Sequence, residues 1–328
     1  MQIDWTRLRE VIGKYENFLL TSHIRPDCDA LGSELGMAAV LRALGKKVTI
    51  VNASETPIHV AFMDPDNEIK VLGQHITAEE IHQQFDALMI VDTSAWIQLG
   101  DMADVFREST AAKIVLDHHV SEDELDAEVF KDATCEATGR LVYEAAKQFD
   151  VELSPQTALQ LFTAIATDTG WFRFDSSTSG TYRAIADLMD AGAVPNEIYA
   201  ELYEQEKLER TLLRGRILAS VKLAVDGRLV YSRITKQDFE ETGAAASDTE
   251  DAINKTMAIA GTEVGLLFIE LPGADGIKVS FRSSGGQDVS AIAGNFGGGG
   301  HKAASGATIK SSLEDAIAKV LEVVKAAM

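Results

Sequence analysis

The sequence predicts an α/β protein, with a mainly parallel doubly wound sheet followed by a smaller α+β domain. Its 328 residues are long for one core and comfortable for two. In the first half, short continuous apolar runs alternate with helical patterns, as expected for strands covered by helices on both faces. Near the C-terminal end, two apolar runs are joined by a Pro-Gly turn, which favours an antiparallel pair.

The elements follow in order. Phe18–Ser22 reads as a short strand. Ala30–Leu44 reads as a helix, with Leu31, Leu35, Ala38, Leu41 and Leu44 at helical spacing and Gly45 closing it. Lys47–Val51 is the next strand. Ala87–Val91 is a buried strand ending on Asp92, and Lys113–Leu116 is another ending on Asp117. Thr138–Phe149 is helical. Ser154 as N-cap and Pro155 in the first turn open a further helix that runs to about Thr167. Asn196 to Lys222 is helical and rich in Glu, Lys and Arg, so it reads as a solvated connector. Leu229–Ile234, Val264–Glu270 and Ile277–Phe281 are strands, the last two joined by Pro272-Gly273-Ala274-Asp275-Gly276. Helices at Thr249–Ile259, Val289–Asn295 and Leu313–Ala326 complete the second domain.

Composition narrows the function. No apolar run approaches a membrane span, and the opening Met1-Gln2-Ile3-Asp4-Trp5 lacks the form of a signal peptide. Only Cys28 and Cys135 occur, which argues against a disulfide scaffold and for a cytoplasmic location. The net charge is −21. Residues 1–214 hold 18 basic against 37 acidic groups, and residues 215–328 hold 12 against 14. So acidic a surface repels a long duplex. Bound divalent metals could reverse the sign locally.

Four places carry ligand-type residues at element ends. His23, Asp27 and Asp29 lie between the first strand and its helix. One cap needs one Asp, and His23 has no capping role. Asp92 follows a strand, and Asp117, His118 and His119 follow another. Asp168 sits at a helix C-terminus, where a negative charge opposes the macrodipole. Ligands of open α/β sheets bind beyond the carboxyl ends of strands, so these groups can converge. Carboxylates with imidazoles suit Mn²⁺, Mg²⁺, Fe²⁺ or Co²⁺ better than a structural zinc. Their number suits two ions sharing a bridging carboxylate.

A second constellation lies late in the chain. Gly297 to Gly300 leave the backbone free to approach a phosphate, with His301 and Lys302 next and Arg282 at a strand end. The run is neither a Walker loop nor a dinucleotide-binding fingerprint. His59, His75 and His82 read as surface histidines. Gly170-Trp171-Phe172-Arg173-Phe174 reads as core packing with an incidental arginine. No Gly-x-Ser-x-Gly elbow occurs, which disfavours a covalent mechanism.

His23-x-x-Pro26-Asp27-x-Asp29, Asp92, Asp117-His118-His119 and Asp168 resemble the four metal-site motifs of the DHH phosphoesterases. Gly297-Gly298-Gly299-Gly300-His301-Lys302-Ala303-Ala304-Ser305-Gly306 resembles the signature of the DHH-associated C-terminal domain. The nearest subgroup by size and plan is the bacterial nanoRNase/pAp phosphatase type. The resemblance implies a dimetal catalytic domain over 1–195, a helical connector over 196–222 and a substrate-binding domain over 223–328 that closes over the first. It implies two divalent ions, Mn²⁺ foremost. His23, Asp27 and Asp92 would hold one, and Asp29, Asp92, His118 and Asp168 the other, with Asp92 bridging. His119 would face the scissile phosphate, and Asp117 would orient an imidazole. Arg282, Gly298, Gly299, Gly300 and His301 would bind substrate. Cys28 stands at a position that varies in the family and reads as a neutral filler.

The implied substrates are short RNA and nucleotides: nanoRNA cut to 5′-mononucleotides, or pAp cut to AMP and phosphate. The few cations near the glycine run can hold one or two phosphates but cannot track a long strand. Neither a long duplex nor a membrane is an expected partner, and a homodimer is compatible with the reading. The alternatives are a standalone dinucleotide phosphodiesterase, a RecJ-like exonuclease, an inorganic pyrophosphatase and a catalytically silent nucleotide-binding protein.

Overall fold

The computed structural model describes residues 3–273, 275–284 and 286–328, so Met1, Gln2 and Ala274 of the readings above lie outside the described residues. It divides into two units, Met1–Gln205 and Glu206–Met328. Among the described residues no helix is long and apolar enough to cross a membrane.

The first unit runs α1 (Trp5–Gly13), β1 (Asn17–Thr21), α2 (Cys28–Ala43), β2 (Lys47–Asn52), β3 (Ile69–Val71), α3 (Ala78–Gln84), β4 (Ala87–Val91), α4 (Met102–Glu108), β5 (Ala112–Asp117), β6 (Glu128–Lys131), α5 (Thr138–Gln148), α6 (Pro155–Asp168), α7 (Ser179–Asp190) and α8 (Pro195–Tyr203). Its sheet has the order β3-β2-β1-β4-β5-β6, and every pairing is parallel. The continuous apolar strand β4 is buried at all five positions, as a sheet covered on both faces requires. Ser154 caps α6 as expected, accepting from the Thr157 N–H at 3.1 Å.

Helix α2 is apolar or small nearly all round and is buried accordingly. Its glycines permit this. A Cβ on Gly32 would sit 2.5 Å from the Gln160 carbonyl oxygen of α6, and one on Gly139 of α5 would sit 2.5 Å from Ala164 Cβ. The three helices therefore lock together and hold the N-terminus of α2 beside the sheet.

The second unit runs α9 (Leu208–Ala219), β7 (Lys222–Ala224), β8 (Leu229–Ile234), α10 (Lys236–Thr242), α11 (Ala252–Met257), β9 (Val264–Glu270), β10 (Ile277–Ser283), α12 (Val289–Gly294), β11 (Gly299–His301), β12 (Ala304–Ile309) and α13 (Leu313–Ala327). The sheet order is β11-β12-β10-β9-β8-β7, parallel only between β8 and β9. Period-two alternation along β9 sends Leu266 and Phe268 into one core and Leu267 and Ile269 into another.

The stretch read as a solvated connector is two helices, one in each unit. Ile198 of α8 is buried in the first core, and Leu213 and Ile217 of α9 are fully buried in the second unit. Spaced four apart among charges, those two residues form a stripe that charge density hides. Of the strands missed by pattern, β3, β6, β7 and β11 are short and lie at sheet edges, while β12 is internal and six residues long but has the small, partly polar sequence Ala-Ser-Gly-Ala-Thr-Ile.

Gly32→Ala tests the helix packing. Overpacking costs about 1–3 kcal/mol, so a thermal melt of the first unit should shift down by roughly 2–4 °C per kcal/mol. An unchanged melt would contradict the close approach.

Candidate active site

The sheet order reverses between β1 and β4, where connections leave toward opposite faces and open a crevice at the carboxyl ends. The chain places its ligand-type residues there. His23, Asp27 and Asp29 follow β1, Asp92 follows β4, Asp117 ends β5, and His118 and His119 come next. Asp168, the last residue of α6, reaches the same place.

Asp92 stands at the centre. Its carboxylate is 2% exposed. Its Oδ2 lies 3.4 Å from His23 Nε2, and its Oδ1 lies 3.6 Å from His118 Nε2. Asp27 Oδ1 approaches His23 Nε2 to 3.8 Å. Asp29 and Asp168 approach His118 Nε2 to 3.7 and 3.5 Å. Among the described residues, three groups could hold a metal ion, with ligand atoms within 4.8 Å of one another: His23, Asp27 and Asp92; Asp29, His118 and Asp168; and Asp92, His118 and His119. Asp92 Oδ1 is buried without a hydrogen-bond partner, a costly state for a carboxylate oxygen unless a cation meets it. Asp92 also has φ +62°, a left-handed conformation that non-glycine residues rarely adopt.

Neighbouring backbone orients the imidazoles. His23 Nδ1 donates to the Ile24 carbonyl at 3.0 Å, and His118 Nδ1 donates to the Cys135 carbonyl at 3.1 Å. Both leave Nε2 toward the carboxylates, as metal-binding histidines require. Asp27 is the N-cap of α2, accepting from the Asp29 and Ala30 N–H groups. Asp29 lies inside the helix, not before it, and accepts from the Thr138 and Gly139 N–H groups at 2.8 Å each. It thereby caps α5, whose own N-cap residue Ala137 has no side chain able to do so.

His119 is separately held. Buried Asp117 accepts from His119 Nδ1 at 2.8 Å and from the His119 backbone N–H at 3.1 Å. Its other oxygen accepts from Ser94 Oγ at 2.7 Å, with Lys131 Nζ at 3.6 Å. The His119 ring is 47% exposed and so faces the crevice mouth. A cavity of about 480 Å³ continues from there, lined by His23, Asp92, Ile97, Gln98, His119 and Ser121 among others. Ser94 and Lys131 escaped the sequence reading. Lys131 pairs with Asp117 across β5 and β6, a register visible only once β6 is placed.

In the second unit, Arg282 of β10 and His301 of β11 both pair with Ala304 of β12, from opposite sides. They share one cross-strand row. The glycine run is less free than expected. Gly297 has φ +71° and Gly300 φ +141°, and a Cβ on Gly298 or Gly300 would lie 2.2 or 2.7 Å from the carbonyl oxygen of Gly306 or Ala304. Gly298 and Gly300 thus serve close approach to β12 and Gly297 a left-handed turn, while both Gly297 and Gly299 border open space.

Residues 17–166 match the DHH family N-terminal domain, and residues 226–328 match the DHHA1 domain. The chain belongs to the DHH phosphoesterase family. It is 29% identical to the bifunctional oligoribonuclease and PAP phosphatase NrnA of Bacillus subtilis, over 93% of each chain. It is 28% identical to the protein of the same name from Thermus thermophilus, over 98% of this chain and 94% of that one. The solved structure of an exopolyphosphatase-related protein from Bacteroides fragilis superposes with a TM-score of 0.79 at 25% identity, covering 98% of this chain and 95% of that one.

In this DHH protein, charge crowding sets the proton affinities. Burial, then the charges of Asp92 and Asp168, hold Asp29 well above the usual carboxylate range. Burial also pushes Asp168 up to about 6, with Asp92 and Asp27 adding repulsion against the pull of His118. Burial opposes the charge on His23, but the Asp92 hydrogen bond and nearby carboxylates outweigh it and raise its pKa to about 9. Asp117 moves the other way. Burial would raise it, but hydrogen bonds from His119 and Ser94 bring it below the usual value. The same contact with Asp117 raises His119. Burial pushes both thiols, Cys28 and Cys135, up to about 12, so they stay neutral. His59, His75 and His82 are exposed, and none belongs to the three groups that could hold a metal.

The raised acids give a pH signature. Folded Asp168 and Asp29 hold protons more tightly than the unfolded chain does. Their stabilising contribution is present below about pH 4 and is lost as pH rises through about 6 for Asp168. In chelator, the melting midpoint should therefore fall as pH rises across that window. Added Mn²⁺ should raise the midpoint more above it than below it, because the metal needs the deprotonated ligands. A midpoint in chelator that does not fall over this range would contradict the crowding.

Proposed function

We propose that the protein is a two-metal phosphoesterase that cuts short oligoribonucleotides to 5′-mononucleotides and hydrolyses pAp to AMP and phosphate. The names of its full-length relatives support the substrate class. The observation that carries the two-metal reading is Asp92, whose two oxygens face two different imidazoles while one of them lacks a hydrogen-bond partner. We assign His23, Asp27 and Asp92 to one ion and Asp29, Asp92, His118 and Asp168 to the other. Oxygen and imidazole donors favour Mn²⁺, with Mg²⁺, Co²⁺ or Fe²⁺ as alternatives. When bound, two such ions supply Lewis acidity and a nucleophile of lowered pKa.

The chain's own residues do the rest. Asp117 fixes the His119 ring by its Nδ1–H and holds the imidazole in its charged form more readily than free histidine. His119 Nε2 can then donate a hydrogen bond, or a proton, to a phosphoryl or leaving oxygen. His119 and Ser94 keep Asp117 ionised by hydrogen bonding, and Lys131 lies beside it at 3.6 Å. We assign Arg282 and His301, with the open backbone at Gly299, to holding phosphate and nucleotide, and Gly298 and Gly300 to shaping that hairpin. The acidic first half favours short substrates, since nothing there tracks a long anionic strand.

An Mn²⁺-dependent assay across pAp, pApA, RNA of increasing length and pyrophosphate tests this reading. Turnover should be best on pAp and the shortest RNAs. Asp92→Ala should fall to background. His119→Ala should lose about 10²–10⁴-fold in kcat, and Asp117→Asn about 10–100-fold. No turnover of any substrate, with Asp92→Ala indistinguishable from wild type, would end the enzyme reading. Equal activity on a long strand and a dinucleotide would end the preference for short substrates.

A further inference from the structure

The segment after Asp168 reads from the sequence as core packing, and the structure corrects half of that. Trp171 and Phe172 do pack on buried Phe162 of α6, with ring centroids 6.1 and 6.2 Å away. Phe174, however, is 54% exposed, and Tyr182, Tyr199 and Tyr203 beside the segment are 55, 40 and 48% exposed. The rings of Trp171, Phe172, Tyr182, Tyr199 and Tyr203 are contiguous, with Trp171 6.1 Å from Phe172. Trp171 lies 5.2 Å from Tyr199 and 5.7 Å from Tyr203, those two tyrosines lie 4.9 Å apart, and Phe172 lies 5.6 Å from Tyr182. Tyr199 and Tyr203 are four apart on α8 and so share a face.

The backbone beneath is unusual. Gly170, Trp171 and Phe172 have φ of +56°, +60° and +63° in succession. Two aromatic residues adopt a conformation that side chains resist. Hydrogen bonds from the Trp171 N–H to the Ala166 carbonyl and from the Phe172 N–H to Thr169 Oγ1 hold them there. A Cβ on Gly170 would lie 2.5 Å from the Phe174 ring, so that ring covers the backbone two residues beyond Asp168. Two residues span at most about 7 Å. The patch therefore begins beside a proposed metal ligand.

Arg173 supplies a cation in this acidic half of the chain. Its Nε donates to the Gly170 carbonyl at 2.7 Å, and its guanidinium lies 5.9 Å from the Phe174 centroid. The side chain is exposed and forms no ion pair among the described residues.

We propose that this patch stacks the base of the second nucleotide of a short oligonucleotide, the one across the scissile phosphate that pAp lacks, while Arg173 meets a phosphate of that nucleotide. The proposal rests on the phosphoesterase reading above. Flat aromatic faces beside a guanidinium are what single-stranded nucleic acid recognises, and stacking tolerates any base. Continuity with Asp168 favours a substrate over a second copy of the chain. A substrate with a single base, such as pAp, gains nothing from the patch.

Kinetics on a triribonucleotide and on pAp, with Mn²⁺, give the test. In Tyr199→Leu and Tyr203→Leu, kcat/KM for the triribonucleotide should fall about ten- to hundred-fold relative to that for pAp, mainly through KM. Tyr199→Phe and Tyr203→Phe should restore the ratio. Arg173→Ala should lower it and weaken its salt dependence. Binding is read separately in the Asp92→Ala background with Mn²⁺ present. There the triribonucleotide should quench tryptophan fluorescence, and the quench should vanish in Trp171→Phe. An unchanged ratio in leucine variants that melt normally would overturn the proposal. So would leucine variants that dissociate a wild-type dimer with the ratio unchanged, which would make the patch an interface between copies. If wild type hydrolyses neither substrate, the phosphoesterase reading fails, and the fluorescence experiment still decides the patch.

Discussion

The crevice depends on forcing like charges into one small volume. Asp29, Asp92 and Asp168 converge on a single imidazole nitrogen, and left alone they repel. Packing elsewhere holds them there. The glycine-mediated lock of α2 with α5 and α6 sets the position of Asp29, and the left-handed turn after β4 aims Asp92. Buried acids in such a cluster take up protons or cations, which is why the same geometry reads as raised proton affinity and as a candidate metal centre.

A second device sits beside the first with the opposite electrostatics. Asp117 is as buried as its neighbours, yet its proton affinity is lowered, because it accepts from His119, Ser94 and the His119 backbone. Hydrogen bonding outweighs desolvation there, whereas repulsion adds to it at Asp29. Two kinds of carboxylate in one crevice can therefore serve different chemistry. One kind attracts cations, and the other steadies an imidazole.

Much of the candidate site is legible in the sequence because its residues have poor structural excuses. A histidine after a strand, an aspartate at a helix C-terminus and an acid-imidazole triplet at a strand end contradict local preference, and that contradiction is readable. What local preference does explain was misjudged or hidden. The charged face of α9 concealed Leu213 and Ile217, which are fully buried. The aromatic run after Asp168 looked like ordinary core, though part of it faces solvent. The glycine run reads as free, but Gly298 and Gly300 satisfy a close approach to β12. Lys131 lay on a strand too short to announce itself.

The sequence by itself determined the alternation of strands and helices, the families of motif at their ends and the excess of acid in the first half. Those follow from periodicity, capping and composition, which act within a few residues. Tertiary structure alone decided the sheet order that brings β1 beside β4, the register that sets Lys131 against Asp117, and Asp29 as the cap of a helix more than a hundred residues away. Such contacts join distant segments, and no local pattern encodes which pairs will meet. They arise when the apolar faces of the sheet and its covering helices close on one another, and the polar groups at the strand ends are carried into place by that closure.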